Sequence, residues 1–489
     1  MNATVSPAAP RLARPSPLTL PVVLVGVVLV AMSISGTAVA LPSIGRDLDA
    51  AGSPLHWVVA GYNLAFAAMT LVAGAAADRV GRRRMFVTAA LVFAAGFAVT
   101  AAGPSIVLVD IARIVSGAGG AGVMAAGGAI LASEYDGAAR NRAFALMGTM
   151  AGVGIAVGPT LSGFLIALTG WRGSFAVFAA IGLLVALGAT GIRESRASGA
   201  RTDWGGSVLF IASLTLLMFA LLEAPALGWT HPAVLACAAA GLIALIVFAA
   251  SQRRSASPVL APSLVANRAF MGWSMATLTT SIGFLGALVF LPTYLQAAGD
   301  LSPAASGAVM LLLTAPVLVM PMSAAALVDR GVSARTIIMA ALAMVAAGNL
   351  WLMALSPERP LASVAVPLLL IGIGMGVSFG VTDGQAMALA PAEAVGMAAG
   401  FLNTLRGAAE ALVIAAFSAA ITGLLRHRLG DGERAADVGA GRLGADRAAE
   451  LDAFTWSWRA TQLGTGILCL VLSIVVAALI FARAPRREP

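Results

Sequence analysis

The chain has 489 residues, of which 60% are hydrophobic and only 11% are charged. Soluble globular domains are about 25% charged, so this composition argues against a large soluble protein with an unusually apolar core. The net charge of +8 would suggest a nucleic-acid-binding protein. However, the basic residues are all arginine and lie mostly in short stretches between long apolar runs, which indicates membrane orientation and no nucleic-acid partner.

Fourteen stretches are apolar enough to cross a lipid bilayer as helices, which requires about 20 residues each. The predicted spans are residues 18–40, 55–77, 85–102, 105–132, 143–168, 173–192, 205–224, 231–250, 269–297, 303–328, 336–355, 361–389, 398–424 and 459–482. The sequence therefore predicts an all-α integral membrane protein.

Span 1 has the features of a signal peptide, because Arg11 and Arg14 precede an apolar run and residues 38–40 form a small-residue cleavage motif. The run is long and many more follow it, so we interpret it as an uncleaved first helix. With residues 1–17 inside, arginines concentrate in the inside segments, and the short outside loops carry only Arg46, Arg172 and Arg359. This bias predicts a multi-pass cell-membrane protein with both tails, 1–17 and 483–489, in the cytoplasm.

The loop between spans 2 and 3 combines an acid, glycines and arginines, in the order Gly74, Asp78, Arg79, Gly81, Arg82, Arg83 and Arg84. An acid and arginines at a helix end can form charge-assisted bonds with a neighbouring helix terminus. The alternative is a basic loop that only sets orientation. A degenerate copy after span 10, with Asp329, Arg330 and Arg335, indicates two related halves.

Span 4 contains Arg113, followed by Ser116, Gly117 and Gly119. An arginine in lipid is costly, so we expect it to face the protein interior or a water-filled cavity. Asp110 lies three residues earlier on the same helical face. The two residues are candidates for proton coupling, or form a static pair.

Span 5 carries small residues at helical spacing with a proline among them: Gly154, Gly158, Pro159 and Gly163. Small residues make a flat face for close helix contact, and proline bends a helix. The alternative is packing with no special role.

Two later spans contain acids. Asp383 lies in span 12, and Glu410 lies in span 13, four residues after Arg406, with which we expect it to pair structurally. Met375, Phe379 and Met387 can form an adaptable substrate wall or simply pack. Residues 425–458 are polar and predict a mobile external loop.

These motifs resemble those of the major facilitator superfamily, and the number of spans resembles its fourteen-helix drug:proton antiporters. The basic loop is similar to G-x-x-x-D-R-x-G-R-R, Arg113 to the arginine of R-x-x-Q-G-x-G, and span 5 to the antiporter motif G-x-x-x-G-P-x-x-G-G. Ser116 and Ser162 depart from these patterns. Ser33 occupies a place where many members carry an acid, and Ala60 one where some carry Asp.

The resemblance implies two six-helix bundles, residues 18–192 and 269–482, joined by 193–268 with two extra helices. It implies alternating access, with the basic loop as a conformational switch. It also implies a functional monomer that exports a lipophilic drug or antibiotic-like molecule in exchange for protons, without cofactor or metal. Arg113 would take part in coupling, with Asp383 on a cavity-lining helix as the preferred acid and Asp110 as the alternative.

Two other functions stay open at this point. An importer or facilitator of another small solute would have the same fold. An integral-membrane enzyme is disfavoured because His56, His231 and His427 are scattered and no acidic pair accompanies them. The chain also lacks a G-x-x-x-x-G-K-[ST] nucleotide loop, which argues against an ATP-driven pump built on this chain alone.

Overall fold

The computed structural model describes residues 16–135, 137–196, 203–255, 264, 266–389 and 395–481, and these are helical almost throughout. Backbone groups in lipid must be hydrogen-bonded within their own segment, which long helices achieve. The helices are α1 (Thr19–Gly36), α2 (Leu41–Asp47), α3 (Ser53–Val80), α4 (Arg82–Ala102), α5 (Ile106–Glu134), α6 (Gly137–Ala189), α7 (Trp204–Leu227), α8 (Pro232–Gln252), α9 (Arg268–Ala298), α10 (Pro303–Val309), α11 (Leu311–Asp329), α12 (Ala334–Trp351), α13 (Pro360–Ala388), α14 (Val395–Leu429), α15 (Gly432–Gly439) and α16 (Arg447–Phe481).

The predicted membrane-spanning architecture is confirmed. In the described part of the chain, 12 helical stretches are long and apolar enough to cross a membrane. One of them, Arg142–Ala189, has 48 residues and breaks at Gly170, whose φ of 71° interrupts the helix and separates two crossings. The 28-residue α3 is a further long helix at predicted span 2. Each predicted span therefore coincides with a helix.

Successive spans run in opposite directions, so the bundle has two ends. We call the end with the Arg79–Arg84 turn the basic end. The other, the distal end, carries α2, the Gly170 break and the segment between α14 and α16.

The helices pack as two groups that meet along a seam. In one group, α1, α3, α4, α5 and α6 contact one another; in the other, α9, α11, α12, α13 and α16 do so. The groups meet where α3 contacts α14 and where α6 contacts α10 and α11. The pair α7–α8 lies beside the seam, because α7 contacts both α3 and α14.

Polar bonds hold α7 against the seam. Ser53 Oγ and Trp57 Nε1 on α3 both donate to Glu223 Oε1 on α7, at 2.6 and 3.2 Å. A carboxylate within an apolar helix needs such donors to offset its desolvation.

We expected a mobile loop between the last two membrane spans, but the structure shows helix over most of this segment. α14 continues to Leu429 and α16 begins at Arg447, so both helices extend beyond the predicted spans. Between them, Asp431 caps α15 by accepting from the backbone N–H of Glu433 at 2.9 Å. Ala435 and Val438 on one face of α15 are fully buried. The polar composition thus conceals a short amphipathic helix, and we call residues 430–446 the distal cap.

Candidate transport site

A central cavity lies at the seam and is walled from both helix groups. In this conformation the cavity is nearly closed, with room for about one water molecule. Its wall comes from α1, α6, α9, α11, α13 and α14, through Ile34, Ile155, Ser281, Phe284, Leu285, Leu288, Val317, Met375, Phe379, Arg406 and Glu410. The cavity is thus an apolar chamber with two charged side chains.

Three candidate wall residues were predicted from the sequence of span 12. The structure places Met375 and Phe379 on the cavity wall, whereas Met387 lies nearer the basic end of α13 and is not part of that wall. Their role in substrate binding stays a prediction.

The charged residues of the cavity pair differently from our expectation. Arg406 Nη2 lies 2.5 Å from Asp383 Oδ1 on α13, and its guanidinium carbon lies 4.5 Å from the centre of the Phe379 ring. Glu410 Oε2, one turn along α14, is buried and accepts no hydrogen bond from the described residues. The hydrogen-bonded ion pair of Arg406 is therefore with Asp383 on α13, while Glu410 faces the cavity and stays close enough for its charge to interact with that of Arg406.

Arg113 lies elsewhere, toward the distal end of the first helix group, and its side chain is fully buried. Its Nε donates to the carbonyl of Val58 at 3.1 Å, and its Nη2 donates to Thr37 Oγ1 at 3.2 Å. Longer contacts of 3.5 Å reach Ser33 Oγ and Ser116 Oγ. Three aromatic rings face the guanidinium: Tyr62 at 4.2 Å, Phe97 at 5.0 Å and Phe175 at 5.6 Å. Arg113 therefore binds α1, α3, α4 and α6 together.

The structure does not bring the three candidate coupling residues into one cluster. Arg113 donates no hydrogen bond to a carboxylate among the described residues, but Asp110 lies close enough for the two charges to interact, and the static Asp110–Arg113 pair stays a prediction. Asp110 Oδ1 is buried without a hydrogen-bond partner there. Asp383 belongs to the Arg406 pair, toward the basic end.

The glycines of span 5 divide between two contacts. A Cβ at Gly154 would collide with Ala31 and the carbonyl of Val28, and one at Gly158 would collide with Ser35. These two glycines therefore let α6 approach α1 closely, as the small-residue face predicts.

The rest of the motif crosses the seam. A Cβ at Gly163 would collide with the backbone of Pro303 on α10, and one at Gly307 on α10 would collide with the backbone of Pro159. Thr160 Oγ1 donates to the carbonyl of Gly307 at 2.9 Å. The two helix groups thus interlock at the distal end through reciprocal glycine contacts.

The turn between α3 and α4 has a partner that the motif did not reveal. Gly81 has a φ of 122°, and Glu194, just after α6, accepts from the backbone N–H groups of Arg83 and Arg84 at 3.1 and 3.2 Å. Its carboxylate also lies 3.7 Å from Arg83 Nε. The only sign of this partner in the sequence was that Glu194 is an acid in the predicted inside segment after span 6. The side chain of Asp78, which belongs to the predicted motif, is not among the described atoms.

Comparison with known proteins agrees with this architecture. Residues 23–414 match the Major Facilitator Superfamily. The chain is 32% identical over 419 residues to the puromycin resistance protein of Streptomyces alboniger, covering 84% of this chain and 83% of that one. It is 31% identical over 395 residues to the multidrug resistance protein Stp of Mycobacterium tuberculosis, covering 80% and 73%. It is 29% identical over 459 residues to the tetracenomycin C resistance and export protein of Streptomyces glaucescens, covering 91% and 83%.

Solved structures share the fold. A bacterial homologue of the human lysosomal transporter Spinster, inward-facing and occupied, superposes with a TM-score of 0.68 at 14% identity, covering 94% of this chain and 96% of that one. The POT family transporter PepTSo superposes with a TM-score of 0.64 at 14% identity, covering 96% of this chain and 99% of that one.

Proposed function

Since the chain belongs to the major facilitator superfamily, we propose that it exports a lipophilic, drug-like molecule in exchange for protons. The observation that carries this proposal is the central cavity, which is walled by both helix groups and holds one carboxylate without a hydrogen-bond partner among the described residues. Resistance and export proteins among its relatives support the direction of transport.

The cavity suits an apolar substrate. Most of its lining residues are aliphatic or aromatic, and Met375 and Phe379 add a polarisable thioether and an aromatic ring. Such a wall binds apolar surface favourably and can adapt to substrates of different shapes.

Coupling would rest on the acids near this cavity. We propose that Glu410 binds a proton or the positive charge of a substrate, because it is buried and no hydrogen bond from the described residues stabilises its charged form. A proton on Asp383 would release Arg406, which cannot itself titrate, to pair with Glu410. Arg113 and Asp110, whose charges interact, remain candidates for a coupling role, although the hydrogen-bond partners of Arg113 among the described residues are uncharged.

Alternating access would follow from opening and closing the seam. We propose that residues 18–192 and 269–482 move as two bundles, with 193–268 between them, and that the distal interlock separates when the cavity opens at that end. The basic turn would stabilise the opposite closure.

The test is transport in everted membrane vesicles, whose outer surface is the predicted cytoplasmic face. We expect puromycin and a lipophilic cationic dye to accumulate inside when the vesicle interior is acidic, and collapse of the pH gradient to abolish this accumulation. Equilibration of substrate that ignores the gradient would identify a facilitator, and loss of substrate from preloaded vesicles would identify an importer.

A further inference from the structure

His56 is a buried imidazole that the proposed coupling scheme does not use. It lies one turn from the distal start of α3 and is only 5% exposed. Its Nδ1 is hydrogen-bonded to Ser418 Oγ on α14, and its ring packs edge-on against that of Phe290 on α9, with the ring centres 5.4 Å apart. Because α3 belongs to the first helix group and α9 and α14 to the second, this histidine bridges the seam near its distal end.

His56 differs from other side chains that bridge the seam in that its charge can change near neutral pH. Side chains that donate hydrogen bonds across the seam include those of Thr160, Gln296, Thr314 and Arg442. Hydroxyl and amide groups stay neutral in water, and a guanidinium stays charged. An imidazole, in contrast, changes its charge between about pH 5 and 8.

The described structure offers no charged partner to a proton on His56. Charged and titratable side chains on the elements around it are Asp47 on α2, Asp110 and Arg113 on α5, Glu223 on α7, Tyr294 on α9, and Glu410 and Arg426 on α14. Glu223 accepts from Ser53 and Trp57, and Arg113 contacts the opposite side of α3 at Val58. Burial is the only influence that the described residues exert on the charge of His56.

The direction of a pH effect follows from this environment. Closing the seam around a charged imidazole is unfavourable, because the ring leaves water without a carboxylate to pair with. A neutral imidazole avoids this cost and can bond to Ser418 in either tautomer. When α3 separates from α14 at the distal end, the ring reaches water, where histidine titrates at about pH 6.5. Proton binding therefore favours the state that is open at the distal end.

We propose that His56 is a proton-binding site that opens the distal end when the medium on that side becomes acidic. It acts on the closure of the seam and makes no contact with the central cavity. The inference is therefore separate from the proposed function and holds whether or not Glu410 carries the exchanged protons. In the predicted orientation the distal medium is the cell exterior, so external acid would favour the outward-open state.

The test measures distances between spin labels on α6 and α10 near the distal end, in purified protein between about pH 8 and 5. For the native chain we expect the ratio of open to closed molecules to rise with acidity by at most about tenfold per pH unit, since one proton is bound. His56→Gln can still form hydrogen bonds but cannot be protonated, and should lose this rise. His231→Gln, at an exposed histidine before α8, is the matched control and should respond like the native chain. An equal rise in His56→Gln and the native chain would overturn the proposal, as would native distances that do not depend on pH.

A second pair of variants covers the case in which His56→Gln does not fold. Ser418→Asp would place a carboxylate beside the ring, so that the protonated imidazole would be paired in the closed state. We expect that acid no longer opens the distal end of this variant. Ser418→Asn is its neutral counterpart of the same size and should keep the native response. Equal responses in these two variants would contradict the site.

Discussion

Gly163 of α6 lies directly against the backbone of Pro303 at the start of α10, and no side chain larger than hydrogen fits between them. This contact crosses the seam between the two helix groups at the distal end. It links the small-residue stretch of α6 to the second group, so we expect closure of the cavity at that end to depend on this glycine.

Gly163→Ala should shift the protein toward the state that is open at the distal end. The added methyl group would overlap the backbone of Pro303, and overpacking of this kind costs about 1–3 kcal/mol. Spin labels placed on α6 and α10 near the distal end should report longer distances. Gly152→Ala is the matched control, because a Cβ at Gly152 on the same helix meets nothing within 4 Å. Unchanged distances in Gly163→Ala would show that the Gly163 contact does not hold the distal end closed.

Arg442→Ala should weaken the contact of the distal cap with the first helix group, and so also shift the protein toward the state that is open at the distal end. Arg442 Nη1 donates to the carbonyl of Gly45 at 2.9 Å and to Asp49 Oδ1 at 3.1 Å, on the other side of the seam. The side chain of Asp49 is 99% exposed, so its ion pair should contribute about 0–1 kcal/mol. We therefore expect a larger shift of the distance distribution for Arg442→Ala than for Asp49→Asn.

Arg447→Ala is the control for the distal cap, since Arg447 bonds Ala297 and Asp300 within its own helix group. An equal shift in Arg447→Ala would mean that the cap acts through general stability and not through its contact across the seam.

Glu194→Gln should weaken the turn at the basic end. The variant keeps the size of the side chain but loses the charge that Arg83 and Arg84 contact. Charge-assisted hydrogen bonds are about twice as strong as neutral ones. A cysteine at position 80, beside this turn and exposed, should therefore be labelled faster in this variant and transport should be slower, with Glu358→Gln on a distal loop as the control. If Glu194→Gln is labelled and transports at the native rates, the turn has no role beyond setting the orientation of the protein in the membrane.

The sidedness of the membrane can be tested at positions that the structure shows to be exposed. In a chain with Cys237 and Cys469 replaced by alanine, Ala445→Cys in the distal cap should be labelled in intact cells. Ser333→Cys at the basic end should be labelled only after permeabilisation. The reverse pattern would place both termini outside.

Much of this fold follows from sequence because lipid restricts a spanning segment to a long apolar helix, so the span positions and the contact face of Gly154 and Gly158 were predictable. Contacts across the seam were not, because residues such as Gly163 and Pro303 are distant in sequence and no helical period relates them. The Asp383 partner of Arg406 was not predicted for a similar reason: helical spacing pointed only to Glu410, but packing of α13 against α14 brought Asp383 into contact.

The distal cap was misread because its polar composition is typical of loops. α15 has only 8 residues, and its buried face consists of small side chains that add little to a hydropathy profile. Glu194 escaped notice because its partners belong to a turn more than 100 residues earlier in the chain.

The central claim is that a carboxylate in the cavity couples protons to export, and Glu410→Gln tests it most directly. In everted vesicles we measure substrate accumulation driven by an acidic interior, and substrate exchange at equal pH on both sides. The account predicts that Glu410→Gln loses gradient-driven accumulation but keeps exchange, whereas Glu134→Gln, at a buried acid outside the cavity wall, keeps both. Full gradient-driven accumulation by Glu410→Gln would contradict the account.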